Sequence, residues 1–385
     1  GLGIPAEPLF RSRDAIESAA TLLSRVINKN NALPILGDIM CEVKDKKMVM
    51  TASDSEVTLT TTIELEEMEG DGRFCVSATW LKDALSQLTD QPLTILATTE
   101  SDMRFTIQHS TGETYFPMEN ADEYPLPIQA KYNETLEALN GKWLRDALKR
   151  SLWATSNDDL RPIMCGVDFA LSEGYLDIVA SDGHVLVKSH YSVIDKVKKN
   201  RIGSFIMPKK VAKIMSDVVD AADIVNIEWN ESDGHISLTG CDITFRLIEG
   251  KYPNYNRIIP TDQPLCATVP LAFMVNSIRK VIPFTAGPQD LKMLRMAFET
   301  GKLTLTGEDF DFAVGAHDTF TIEYTADPIT IGVSGSRLLA IMSKLSGQEC
   351  NISMTDPSSA IVIEPTEQPD DCEVLMLTMP MLLND

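Results

Sequence analysis

Apolar residues along this chain keep two rhythms that take turns. Over residues 14–27 they fall at Ile16, Ala19, Ala20, Leu23, Val26 and Ile27, a spacing that predicts an amphipathic helix. Alternating stretches follow at 39–43, 47–52 and 58–65, the last rich in threonine, and these predict strands. Thr79 is placed to cap a short helix reaching Leu88, and strands are predicted at 93–96, 103–108 and 114–118. The order then returns. Helices are predicted over 143–154 and 209–219, with strands at 166–171, 176–180, 185–191, 224–229, 235–239 and 243–247. In the last third, helices are expected over 271–281 and 336–345. Strands are expected at 295–298, 302–306, 320–324, 351–354, 361–363 and 374–378. Two helices among many short strands in each segment predict an α+β fold with antiparallel sheets. Prolines and polar residues near 127–132 and 260–264 interrupt the periodicity and mark linkers.

The return is a true repeat, not only a similar rhythm. Thr51-Ala52-Ser53-Asp54 reappears as Val179-Ala180-Ser181-Asp182 and, more faintly, as Leu305-Thr306-Gly307-Glu308-Asp309. Asp54 to Asp182 is 128 residues and Asp182 to Asp309 is 127. A strand-to-helix entry, Val76-Ser77-Ala78-Thr79-Trp80-Leu81, recurs as Ile206-Met207-Pro208-Lys209-Lys210-Val211 and as Val333-Ser334-Gly335-Ser336-Arg337-Leu338. Glu123-Tyr124-Pro125 is echoed by Lys251-Tyr252-Pro253. Solenoid units run roughly 20–50 residues, so this period means duplicated domains. Three are expected, at 1–128, 129–262 and 263–385.

Charge changes the picture. The 385 residues carry a formal charge of −22, which on its own argues against a nucleic-acid partner. The charges are segregated, however. Between Lys196 and Lys213 there are seven basic residues and no acidic one, and Lys142, Arg145, Lys149 and Arg150 form a second cluster opposed only by Asp146. Seven cysteines without a C-x-x-C pair read as buried, reduced thiols rather than zinc or redox sites, so neither metal nor cofactor is expected. No apolar run is long enough to span a membrane. The opening residues lack a secretion signal, and Gly1 in place of methionine fits a processed or added end. The expected location is cytoplasmic and nucleoid-associated.

Candidate catalysis is thin. Asp182 and His184 flank Gly183, but a carboxylate beside an imidazole also needs an oriented nucleophile. No nucleophile-elbow, zincin or phosphate-loop motif occurs. A hydrolase built on these two residues is the weakest reading, and the chain is expected not to be an enzyme.

The pieces Leu33-Pro34-Ile35-Leu36-Gly37, Met207-Pro208-Lys209-Lys210, Ala180-Ser181-Asp182-Gly183-His184, Gly250-Lys251-Tyr252-Pro253-Asn254-Tyr255 and Met379-Pro380-Met381, in that frame, closely resemble the bacterial DNA polymerase III β subunit family of sliding clamps. The resemblance runs from about residue 15 to 383. It implies three tandem repeats of the DNA-clamp fold, closed by a head-to-tail homodimer into a six-domain ring around duplex DNA without sequence specificity. It also implies the replicative polymerase catalytic subunit, a clamp loader and repair proteins as partners, docking through short hydrophobic peptides. By resemblance the peptide pocket comprises Met164, Ser181, Gly183, His184, Leu186, Pro253, Ile258, Arg337, Leu377, Met379, Pro380 and Met381. The DNA-facing set comprises Lys29, Arg145, Lys149, Arg150, Arg161, Lys198, Lys199, Arg201, Lys209, Lys210 and Lys280. The dimer interface sets Thr114, Tyr115 and Phe116 against Ile282 and Phe284. The chain departs from the family pattern at Ile163, where an aromatic is common, at Arg337, where tyrosine is, and at Leu382, where a basic residue is. The alternative is a triplicated peptide-binding scaffold that encircles no nucleic acid.

Overall fold

The computed structural model describes residues 9–28, 31, 33–98, 103–125, 130–172, 174–193, 203–288 and 292–383. Among these, each third runs through one string twice: a strand, a helix, then three strands. The first third has β1 (Leu9–Ser12), α1 (Arg13–Leu23), β2 (Asp38–Lys44), β3 (Lys47–Ser53) and β4 (Val57–Glu64). It continues with β5 (Gly72–Ser77), α2 (Ala78–Ser86), β6 (Pro92–Thr98), β7 (Arg104–His109) and β8 (Gly112–Glu119). The second has β9 (Glu134–Asn140), α3 (Gly141–Ser151), β10 (Gly166–Ser172), β11 (Tyr175–Ser181) and β12 (Val185–Ser192). Then come β13 (Gly203–Pro208), α4 (Lys209–Val218), β14 (Ile224–Trp229), β15 (Asp233–Leu238) and β16 (Cys241–Arg246). The third has β17 (Leu265–Pro270), α5 (Leu271–Val281), β18 (Met293–Glu299), β19 (Lys302–Asp309) and β20 (Val314–Thr321). It closes with β21 (Ile329–Ser334), α6 (Gly335–Lys344), β22 (Glu349–Met354), β23 (Ile361–Pro365) and β24 (Cys372–Thr378).

The structure departs from the sequence expectations in ways that have local causes. The first helix stops at Leu23, because Ser24 Oγ donates back to the Thr21 carbonyl at 2.8 Å and the next amides turn tightly onto Leu22 and Leu23. The cap of α2 is Ser77, whose Oγ accepts from Trp80 N; Thr79 already lies inside the helix. Ser334 caps α6 in the same way through Arg337 N. The strand expected at 320–324 is β20, which begins at Val314; Gly315, His317 and Asp318 weaken its propensity, but pairing with β19 from Lys302↔Thr321 to Asp309↔Val314 sets it. The six strands that lead into helices are short, and each is paired within a sheet.

The chain forms two compact units, which cut across the thirds. One holds residues 1–143 and 217–247, the other 144–216 and 248–385. In the first, a single antiparallel sheet runs β1-β6-β7-β8-β5-β2-β3-β4-β16-β15-β14-β9. In the second, one sheet runs β13-β10-β11-β12-β24-β23-β22-β17 and another β20-β19-β18-β21. The middle third is thus divided: β4 pairs with β16 through Val57↔Phe245, Leu59↔Ile243 and Thr61↔Cys241, while β12 pairs with β24 from Val185↔Thr378 to Tyr191↔Cys372.

Helices α1 and α2 pack on each other in the first unit, and α5 and α6 in the second. The buried face of α1 is Ile16, Ala19, Ala20 and Leu23, and that of α5 is Leu271, Met274, Ser277, Ile278 and Val281. Five cysteines are buried, Cys165 is half-buried and Cys266 is exposed. Burial pushes the Cys75, Cys241 and Cys350 thiols up to about 12, so they stay protonated and inert. No helix among the described residues is long and apolar enough to cross a membrane.

Gly234 pairs with Phe245 in the β15–β16 ladder, and a Cβ there would sit 2.5 Å from the Phe245 ring. Gly234→Ala is expected to cost about 1–3 kcal/mol through overpacking beside the β4–β16 pairing. Urea unfolding checks it, and an unchanged midpoint would show that the ring moves aside freely.

Candidate functional site

The site grows from the turn between β11 and β12. Asp182 Oδ1 accepts from the amides of His184 at 2.8 Å and Val185 at 2.9 Å. Ser181 Oγ accepts from Gly183 N at 3.1 Å and donates to the Val185 carbonyl at 2.7 Å. Gly183 takes φ +91°, where a side chain is strained, and a Cβ would approach Arg161 Nη1 at 3.4 Å and Met164 Cε at 3.8 Å. The turn recurs in the other thirds. Asp54 Oδ1 accepts from Glu56 and Val57 amides, and Asp309 Oδ1 from those of Asp311 and Phe312. The repeated aspartate that announces the triplication is therefore an Asx turn closing a hairpin.

This disposes of Asp182 as a catalytic partner. One oxygen is held by two amides, and the other lies 3.6 Å from Arg337 Nη2. The adjacent hydroxyl, that of Ser181, is buried and already committed to backbone. The turn thus offers no free nucleophile.

Beside it opens a cleft of about 550 Å³ lined by Trp153, Asn157, Asp158, Arg161, Asp182, His184, Ser336, Arg337 and neighbours. Under the turn, Val179, Leu186, Ile206, Tyr252, Tyr255, Ala360, Val362 and Leu377 form an apolar cluster, with Ile163, Ile248 and Ile259 packed against it. Leu186 and Leu377 are opposite one another in the β12–β24 ladder. The terminal segment runs alongside: Met379 N donates to the His184 carbonyl and Met381 N to that of Gly332, both at 2.8 Å. Gly332 permits this approach, since a Cβ there would meet the Met381 carbonyl at 2.6 Å.

The pocket residues named from sequence therefore divide. His184 and Arg337 line the cleft; Ser181, Leu186 and Leu377 are buried beneath; Pro253, Ile258 and Met379 are exposed, and Pro380 and Met381 are half-buried. Met164 is nearly buried beside Gly183. Trp153, Asn157, Asp158, Ser336 and Ala340 were missed. The stretch from Trp153 to Asp158 follows a helix end and carries no motif, and only the strand-to-helix entry at Ser334 hints at the others.

The basic residues divide too. Lys29, Lys198, Lys199 and Arg201 lie outside the described residues. Lys149 on α3 is exposed, and Lys209 and Lys210 on α4 are half-exposed. Arg145 is half-buried against Asp146 at 3.7 Å. Arg150 turns inward, donating to Tyr191 Oη at 3.0 Å and Ser189 Oγ at 3.4 Å. Arg161 pairs with Asp158 at 2.9 Å in the cleft wall, Lys209 donates to Asn157 Oδ1 at 2.8 Å, and Lys280 pairs with Asp318 on β20 at 3.0 Å. Of the dimer candidates, Tyr115 is exposed and Phe116 is buried on β8. Ile282 and Phe284 lie on the turn after α5, beside β20.

Three repeats of a two-helix, antiparallel-sheet unit, joined strand to strand, define the class of DNA clamps. Family descriptions match in order along the chain: the DNA polymerase III beta subunit N-terminal domain over residues 10–128, central domain over 138–254 and C-terminal domain over 256–381. The chain belongs to that family. The beta sliding clamp of Pseudomonas putida is 22% identical over 372 residues, covering 94% of this chain and 97% of the relative. That of Vibrio cholerae is 23% identical over 368 residues, covering 94% and 96%. The crystal structure of the Pseudomonas aeruginosa sliding clamp bound to griselimycin superimposes with a TM-score of 0.90 at 19% identity, covering 98% of this chain and all of that one. The Thermotoga maritima beta subunit gives 0.88 at 19% identity, with the same coverage.

Below the cleft a buried polar group stores a pH dependence. Asp177 accepts from Tyr255 Oη at 2.8 Å, lies 3.1 Å from Lys188 Nζ and meets His190 Nδ1. Asp168 is 2% exposed, its Oδ1 has no partner, and its carboxyl is pushed from 3.8 up to about 7 by burial and then by Asp177. An acid with a raised folded pKa binds its proton more tightly when folded, so stability falls as pH rises from 3.8 to about 7. Asp168→Asn should therefore gain stability over the native chain above that window and lose the advantage below it. Parallel urea midpoints for both proteins across the window would overturn this.

Proposed function

We propose that two copies of this chain close head to tail into a ring that encircles duplex DNA and tethers the replicative polymerase. Its clamp domains would span 1–128, 129–262 and 263–385. The observation that carries the ring is the strand pairing between repeats. The third strand of the first repeat, β4, pairs with the last of the second, β16; the third strand of the second, β12, pairs with the last of the third, β24. Of the third and last strands of the repeats, among the described residues this leaves the outer edge of β20 unpaired, along with residues 112–117 of β8, which touches β5 only at Met118 and Glu119. The repeat frame sets their register across two copies. Phe116 falls opposite Val314 and Gly112 opposite Asp318, just as Phe245 faces Val57 and Cys241 faces Thr61. Two such seams close a ring.

A closed ring holds DNA by topology, so the phosphates need meet only weak, sequence-independent cations such as Lys149. The cleft beside Gly183 takes short peptides with apolar anchors from the polymerase, a clamp loader and repair proteins, and the flexible Met379 and Met381 suit several occupants. The arginines in its walls favour an acidic residue next to those anchors.

Retention on nicked circular DNA in high salt after clamp-loader action, with loss on linearisation, is the expected result. Equal loss from circle and line, with a known clamp as loading control, would overturn encirclement and favour the peptide scaffold. Met379→Ala is expected to weaken an apolar polymerase peptide about tenfold, measured by fluorescence anisotropy, while rings once loaded stay on the circle as well as native ones do. Unaltered peptide affinity would remove Met379 from the site.

A further inference from the structure

The turn before β20 differs from its two counterparts. Asp54 and Asp182 each stand three positions before the next strand, whereas Asp309 stands five before Val314. The extra length carries Phe310 and Phe312, which are 85% and 79% exposed. Two fully presented phenylalanines in one turn are costly on a surface with nothing to cover them.

The repeat identifies what faces this turn. In the cleft, Asp182 meets Arg337, the third residue after the capping Ser334 at the start of the next repeat's second helix. The residue in that place in the first repeat is Trp80, third after the capping Ser77. Trp80 is 48% exposed and ends a run of aromatic contacts: it lies 6.1 Å from Phe116, which lies 5.2 Å from Phe105, itself 5.8 Å from the buried Phe74. The platform is therefore rigid and anchored in the core. No ionic partner for a carboxylate stands at that position.

We infer that each seam of the ring is locked by an aromatic plug, Phe310 and Phe312 of one copy packing on Trp80 of the other. The inference rests on the head-to-tail reading and gives it a chemistry. Where the internal cleft keeps an ion pair at its mouth and stays open to peptides, the seam between copies is filled by the protein's own side chains. The seam therefore offers no second peptide site.

Sedimentation velocity over a dilution series tests this on the native chain, on Trp80→Ala and on the double variant Phe310→Ser/Phe312→Ser. Leu160→Ser serves as a control, because that residue is 91% exposed and lies in the segment between α3 and β10. Each seam variant should raise the dimer dissociation constant about 30-fold or more, the effect of losing an aromatic hot spot. The control should change nothing, and at dilutions where all chains are monomeric the urea midpoint of the double variant should stay level, because Phe310 and Phe312 are surface groups. Combining the seam variants should cost less than the product of their separate effects. High salt should leave the native dimer as tight or tighter. Seam variants that dimerise as well as the native chain overturn the plug and leave the ring intact. A native chain monomeric at every concentration overturns the ring itself.

Discussion

An unpaired strand edge is a row of donors and acceptors that must be hidden or joined. Here the free edge of the third strand in the first and second repeats is the socket for the last strand of the repeat that follows. In β4–β16 and β12–β24 the joint is made of backbone hydrogen bonds, so its geometry depends on strand length and hairpin position far more than on side-chain identity. That is why chains only about a fifth identical over their whole length keep one architecture. It also explains why the compact units ignore the thirds: the joints are as continuous as the sheets they join.

The aspartate turn sets where that joint begins. By taking two amides, Asp54 and Asp182 each end one strand and launch the next three residues on, and Asp309 closes its longer turn in the same way. In the middle repeat the same turn forms one wall of the cleft, and Arg337 at the start of the next repeat's helix forms the other. The cleft is therefore built on a structural device reused at a junction. The catalytic look of Asp182 and His184 is a by-product of that device.

What was legible in the sequence follows from this. The period, the amphipathic helices such as α5 at Leu271–Val281, and the hairpins flanking each aspartate are local signals and could be read directly. Of the helix-entry strands, the repeated motif marked the ends of β5, β13 and β21, but nothing marked β9, which with its two glutamates and a register shift against β14 is held by its partner rather than by its own pattern. Site residues divided by the same logic. Gly183, His184 and Arg337 sit on repeated motifs, and the structure places them in or beside the cleft. Trp153 and Asp158 reach the cleft only through the path of the chain after α3, which no spacing encodes. Arg150 shows the converse. Its place in a basic cluster suggested phosphate contact, and the structure adds that its Nε and Nη2 donate to Ser189 and Tyr191.

The net charge of −22 then ceases to be a puzzle. A protein that binds DNA by attraction must present enough cations to release many counterions, and its affinity falls steeply with salt. A ring that holds DNA by enclosure has no such requirement, and strong phosphate contacts would only slow its sliding. Several of this chain's cations are accordingly free to serve the fold instead: Lys280 neutralises Asp318 on the edge strand, and Lys209 holds Asn157 in the cleft wall. An acidic protein with a few basic helix residues is thus what closure by strand edges permits, whereas a non-encircling binder of the same DNA would need the opposite balance.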